Sequence, residues 1–423
     1  MTTPNPPRFN ERTIVFLVGA VQFVNILDFV MVMPLGPDFA AALSIPESKL
    51  GLVAGSYTAA ASISGIIGSY FLDRFDRRSA LGVAMLGLVA GTAAGGLATG
   101  LPSLLLARVI AGVFGGPATS LAFSIIADVI PPERRGKAMG AVMGAFSVAQ
   151  VLGVPAGLWL AQGGRWWLPF FVVAGLGLVI IVASIFLLPP LRLHLESRAP
   201  DAASLSSLSS LLARPIVRAS YLMTATVMMA GFLVIPNIAA YVQKNLHYPR
   251  SELDRLYLAG GVASFLSLRI VGAMVDRFGS FRVGSIGSLL LGAVLYLGFY
   301  DYPRGLPVMA LFIAFMIAMA FRNVSYSTLT SKVPEPIERA RFMSIQSSVQ
   351  HGASALGAIV SSRVLVTLPG GALGGMSRLT AISIALTALL PAFLFRVERA
   401  VQRRAAESAA PVTGPALAER PER

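Results

Sequence analysis

The chain has 423 residues, 55% of them hydrophobic and 13% charged, with a mean hydropathy of +0.72. That balance excludes an ordinary soluble globular protein, and the absence of cysteine excludes disulfides, iron–sulfur ligation and thiol chemistry. The formal net charge of +14 is not gathered into a basic stripe interleaved with aromatics, so it points to membrane topology and anionic lipid rather than nucleic acid.

The chain opens on a short, polar, proline-rich segment, MTTPNPPRFNERT. The apolar run after it is longer than a signal-peptide core and lacks a clear small-residue cleavage site, so it reads as a retained first helix. Runs long enough to cross about 30 Å of hydrocarbon, roughly 20 residues each, fall at 13–35, 49–71, 79–99, 103–129, 138–162, 167–188, 216–240, 254–275, 282–300, 305–331, 341–366 and 374–396. The expected fold class is therefore an all-α membrane protein with twelve transmembrane helices.

An even number of spans puts both termini on one side of the bilayer. The loops and tails on that side hold most of the 34 Lys and Arg residues, so the positive-inside rule makes it the cytoplasmic side. The expected location is the cell membrane of a bacterial type of cell, as a multi-pass protein.

The first run carries one carboxylate, Asp28, among Ile26, Leu27, Phe29 and Val30. Ionising it in hydrocarbon costs several kcal/mol, so an intramembrane acid is a functional candidate by default. Gln22, Asn25 and Asp28 are three apart and make a polar stripe, which should face a water-filled cavity. The fourth run carries Arg108, which cannot lose its proton and needs a carboxylate, a carbonyl or water. Asp28 is its natural partner. Burial disfavours a charged carboxyl and a nearby Arg favours it, so a moving helix pair could switch Asp28 between holding and releasing a proton. A substrate-binding acid and a static ion pair are the alternatives.

The fifth run contains GVPAG, with Gly153, Pro155 and Gly157. Small pairs such as Gly91/Gly95, Gly140/Gly144 and Gly153/Gly157 are also ordinary helix-packing devices in membranes. Residues 189–215 form the one long polar break and read as a linker, part of which could lie on the inner membrane surface through Leu205, Leu208, Leu211 and Leu212. Further polar cavity candidates are Gln150 in the fifth run, Asn237 in the seventh, Arg322 and Asn323 in the tenth, and Gln350 and His351 in the eleventh. No acid lies in the interior of the second-half runs. Arg322 would thus face Asp28 across the cavity, backbone carbonyls, or an anionic substrate group. His351 could relay a proton or simply pack. The chain after Val397 is Ala-, Arg- and Pro-rich and reads as disordered.

Two landmarks repeat. SYFLDRFDRRSALG at 69–82 matches GAMVDRFGSFRVGS at 272–285, with Asp73 and Asp276 203 residues apart. PERRGKAMG at 132–140 matches PIERARFMS at 336–344, with Arg135 and Arg339 204 apart. A parallel repeat of six-helix halves places a binding site between them near the midplane. The expected parts are 1–12 (cytoplasmic segment), 13–188 (first half), 189–215 (linker), 216–396 (second half) and 397–423 (tail).

These repeated turns, with LLLARVIAG at 104–112 and LGVPAG at 152–157, resemble the major facilitator superfamily, in its twelve-helix drug/proton antiporter, arabinose-efflux-like branch. The first loop keeps the family's charges Asp73, Arg74, Arg77 and Arg78 but has Ser69 and Asp76 where glycines are expected. The second keeps Asp276 and Arg277 but lacks the further basic residues.

The resemblance implies that Asp73 and Arg77 latch to Asp128 as a cytoplasmic gate, with Arg74, Asp276 and Arg277 in the same motif. Gly153, Pro155 and Gly157 would form a shortened antiporter motif. It also implies a monomeric carrier that exports a small organic molecule against protons, with substrate, protons and lipid as its partners. Uptake by symport or uniport, or a non-transporting receptor on the same fold, are the alternatives. With no nucleotide-binding loop, His-Glu-x-x-His or Gly-x-Ser-x-Gly, neither enzyme chemistry nor a metal or cofactor is expected.

Overall fold

The computed structural model describes residues 11–189, 191, 210–303, 305–335 and 338–409. Each long apolar run becomes a helix, because in hydrocarbon every backbone group must be satisfied within its own segment. The first six are α1 Glu11–Met31, α2 Leu50–Phe71, α3 Arg77–Gly96, α4 Leu101–Val129, α5 and α6 Leu168–Leu187. Helix α5 is composite: Pro132–Val148, a π-helical turn Ala149–Gly153, then Val154–Leu160. The extra residue of the π turn comes just before Pro155, whose missing N–H would break a regular ladder there.

The second six follow the same order. Helix α7 runs Pro215–Val234 and continues through a 3₁₀ turn Ile235–Asn237 into Ile238–Lys244. Next come α8 Leu253–Phe278, α9 Ser280–Leu295 with a π turn Tyr296–Tyr300, α10 Val308–Ser331, α11 Arg339–Val364 and α12 Met376–Ala409. Eleven of these are long and apolar enough to span a membrane. The other, α11, is 26 residues long but carries Gln346, Ser348, Ser354 and Ser361, all buried inside the bundle. Large apolar side chains such as Phe16, Phe186 and Leu289 stand exposed on the outside, the arrangement that lipid favours.

Helix α1 packs on α4, α5 and α6; in the second set α7 packs on α11 and α12. The sets meet along two seams, α2 against α11 and α5 against α8. At the face away from the linker they are tied together. Arg250, ahead of α8, donates to Asp38 through Nε (2.6 Å) and Nη2 (2.8 Å), and to the Leu158 carbonyl (3.0 Å). A two-stranded ladder, β1 Val366–Thr367 with β2 Leu373–Gly374, adds a bond from Ser48 N–H to Thr367 Oγ1 (3.1 Å). Midway along the first seam, Ser62 donates to the Ser348 carbonyl (2.9 Å). The ion pairs between described residues at the linker face, Arg77–Asp128, Arg134–Glu11, Arg214–Glu338 and Arg404–Glu335, each stay within one set.

Three expectations need correction. The chain beyond Val397 is helical to Ala409, because Val397 is buried and Glu398 accepts from Ser280 N–H (2.7 Å), capping α9. Gly140 and Gly144 meet nothing, since a Cβ at either would enter open space. Leu211 is buried against Val217 and Tyr221 rather than resting on a membrane surface, while Leu205 and Leu208 lie outside the described residues.

Candidate functional site

The site grows from close helix approach. A Cβ at Gly112 would overlap the Tyr57 carbonyl, so α4 and α2 can touch only because that residue is glycine. On the other flank, a Cβ at Gly153 would sit 2.6 Å from Leu27, and Gly157 faces Met31, so the GVPAG segment presses α5 against α1 on either side of Asp28. Asp28 is fully buried.

Arg108 reaches it from α4 as a two-pronged ion pair: Nη1 donates to Oδ1 (2.9 Å) and Nη2 to Oδ2 (3.0 Å). The pair is sealed, with side-chain exposure of 0% for Asp28 and 1% for Arg108. Thr92 of α3 donates to Asp28 Oδ1 (2.8 Å) and lies equally close to the Leu88 carbonyl, so one hydroxyl proton serves two acceptors. The guanidinium lies 4.8 Å from the centre of the Tyr57 ring. A sealed ion pair roughly breaks even against well-packed apolar residues. What it supplies is a two-pronged, charge-assisted contact that fixes α1 against α4.

The polar stripe of α1 does not line an open cavity. Asn25 donates to the Gly115 carbonyl (2.8 Å) and Thr119 Oγ1 (2.7 Å) and accepts from the Tyr57 hydroxyl (2.8 Å), which makes it a bolt between α1, α2 and α4. Gln22 is buried one turn away with Oε1 unpartnered. The stripe turns inward because the seams of the first set offer these polar partners.

Across the molecule the other candidates form a looser group. Asn237 donates to Ser361 Oγ (2.6 Å) and leaves Oδ1 unpartnered. Gln350 donates to the Tyr326 hydroxyl (3.3 Å), and His351 Nδ1 is 2.9 Å from the Ser347 carbonyl. Gln150, in the π turn of α5, meets α8 where a Cβ at Gly261 would stand 3.1 Å from its carbonyl oxygen. Arg322, 2% exposed, shares the single Asn323 Oδ1 between Nε (3.4 Å) and Nη2 (3.3 Å). Asp28, spent on Arg108, does not serve Arg322.

Of the motif residues at the linker face, Arg77 donates to Asp128 (2.6 Å), joining α3 to α4 within one set rather than one set to the other. Arg74 is exposed, and the side chain of Asp73 lies outside the described residues. The second copy makes no matching contact: Asp276 is exposed without an ion pair among the described residues, and Arg277 lies over Phe278. Glu398 accepts from the N–H groups of Ser280 and Phe281, the positions where further basic residues are expected.

The sequence profile of the Major Facilitator Superfamily matches residues 18–358, and again 220–420. The chain belongs to this superfamily. Its similarity to individual members is modest. A protein of Pasteurella multocida named probable sugar efflux transporter is 26% identical over 66% of this chain and 68% of its own length. YceJ, an uncharacterised MFS-type transporter of Bacillus subtilis, is 22% identical over 67% and 72%. In fold, the chain is similar to a bacterial homologue of the human lysosomal transporter Spinster, solved inward-facing and unoccupied, with a TM-score of 0.72 at 19% identity, covering 93% of this chain and 98% of that one. A D-xylose–proton symporter gives 0.71 at 20%, covering 92% and 97%.

Three contributors escaped the sequence reading. Thr92 was legible only as a hydroxyl in the middle of an apolar run, Tyr57 only as an aromatic near that depth in α2, and the Asp38–Arg250 tie joins residues 212 apart with no motif on either. Membership of the superfamily makes the chain a transporter of small molecules.

Proposed function

We propose that the chain is a monomeric proton-coupled carrier of the cell membrane that exports a small organic molecule by alternating access, with its linker face in the cytoplasm. The observation that carries this reading is the sealed Asp28–Arg108 pair, because a lone carboxylate in hydrocarbon with a breakable partner is a proton site. A proton arriving from outside neutralises Asp28 and loosens Arg108; re-ionisation toward the cytoplasm resets the clamp. Residues 13–188 and 216–396 act as the two rocking halves, and the ties at the Asp38–Arg250 face, with Arg77–Asp128 within the first half, belong to a state open toward the cytoplasm. The printed name of the Pasteurella relative favours export, and a sugar-like substrate is compatible with the polar groups of the second half.

The test uses protein in liposomes carrying an internal pH dye under an imposed proton gradient, challenged with drugs, sugars, amino acids and organic acids. At least one compound should move protons with wild type and none with Asp28→Asn, and the sign of the pH change separates export from uptake. Unimpaired proton movement in a correctly folded Asp28→Asn protein contradicts the proposal.

A further inference from the structure

Arg322 lies deep in α10, fourteen residues from its start at Val308 and so about 21 Å along the helix. Its guanidinium has five N–H donors and, among the described residues, one acceptor, the Oδ1 of the adjacent Asn323 at 3.3–3.4 Å. Nη1 has no acceptor among the described residues.

Nothing nearby carries the opposite charge. Among the described residues of α7–α12, Asp254 sits at the start of α8 and Asp276 at its finish, and Glu398 of α12 is engaged at the start of α9. The carboxylate in the interior of α1, Asp28, has both oxygens committed to Arg108. A buried cation without a counter-charge is strongly unfavourable, and a Met in the same volume would cost less.

The surroundings are built to hold the group in place. A Cβ at Gly231 of α7 would stand 3.3 Å from Arg322 Nη2, so the guanidinium rests against the bare backbone of that helix. The next residue, Phe232, stacks on Phe29 of the first set at a centroid distance of 6.0 Å. The guanidinium therefore lies one residue behind the contact between the two halves. Tyr326, one helical turn along, receives a hydrogen bond from Gln350 of α11.

We propose that Arg322, with Asn323 beside it, binds the anionic group of the transported molecule, and that the substrates are organic monoanions bearing a carboxylate or sulfonate. The planar fork of a guanidinium fits either group through two parallel hydrogen bonds. One bound negative charge cancels one buried positive charge. The inference rests on the carrier reading above and deepens it by naming the substrate class; it is independent of the direction of transport.

The test is binding without any gradient, using the purified full chain in lipid nanodiscs, so a failure of proton coupling cannot disturb it. Matched probes differing in charge, gluconate against glucose and benzoate and benzenesulfonate against benzamide, are titrated calorimetrically into wild type, Arg322→Met and Arg322→Lys. In wild type at least one anion should bind tenfold or more tighter than its neutral partner. That preference should vanish in Arg322→Met and return in part in Arg322→Lys, with all three proteins monodisperse. Equal binding of anion and neutral partner in wild type, no binding by any anion, or an undiminished preference in Arg322→Met overturns the proposal.

Discussion

Among the described residues two arginines are buried deep in the helices, one in each half, and they are treated in opposite ways. Arg108 is clamped by both oxygens of Asp28, backed by Thr92 and faced by Tyr57. Among the described residues Arg322 has only the amide oxygen of its own neighbour, Asn323. The same side chain in the same solvent is thus a finished ion pair in one place and an unfinished one in the other. A finished pair can store and release a proton, because its carboxylate has a neutral form. An unfinished pair can do its work only when a charge arrives from outside the protein.

The most severe way to break the contrast is to remove each arginine in turn. Arg108→Met leaves Asp28 buried and unpaired, and should lower stability by about 3–5 kcal/mol, read as a fall in the thermal midpoint of the purified protein. Arg322→Met orphans no carboxylate and should leave the midpoint unchanged or raise it. If the two substitutions destabilise to the same extent, Arg322 has a hidden partner in the protein and the contrast fails.

A smaller effect is expected from the aromatic contact that joins the halves. Phe29, adjacent to Asp28, stacks on Tyr57 at 5.1 Å and on Phe232 at 6.0 Å, so it links the ion pair to the second half. Phe232→Ala should reduce the transport rate about tenfold, roughly 1.4 kcal/mol on the barrier, while leaving the Asp28–Arg108 pair and the fold intact. A wild-type rate in that variant would separate the ion pair from movement of the halves.

The linker-face pair sets the lower end of the scale. Arg77→Gln removes a partly exposed contact to Asp128 and should cost about 1 kcal/mol or less in stability, with turnover slowed only severalfold. Complete loss of turnover would mean that this pair, rather than Asp28–Arg108, controls the cycle.

The sequence made the helices legible because each apolar run is long and has little choice of structure in a bilayer. It also brought out Asp28 and Arg108, since a charge in such a run is conspicuous and the pair had few other partners at that depth. The polar stripe was legible as a pattern but not in its orientation: Asn25 faces α4 because Gly115 and Thr119 offer partners there, and nothing on α1 itself announces them. Residues paired across long separations, such as Glu398 with the start of α9 and Asp38 with Arg250, were invisible for a related reason. Each is an ordinary surface charge until the fold brings its partner within reach. The repeat suggested matching motif contacts in both halves, yet at the start of α9 the backbone N–H groups are met by Glu398 of α12 instead.

The central claim is that Asp28 changes its protonation state inside the sealed pair. The direct measurement is infrared difference spectroscopy of the protein in lipid bilayers between alkaline and acid buffer, comparing wild type with Asp28→Asn. The expected result is a protonated-carboxyl band that grows in wild type over the pH range in which transport is active and is missing from Asp28→Asn. A wild-type spectrum with no carboxyl band assignable to Asp28 anywhere in that range would make the pair a static bridge and contradict proton coupling through it.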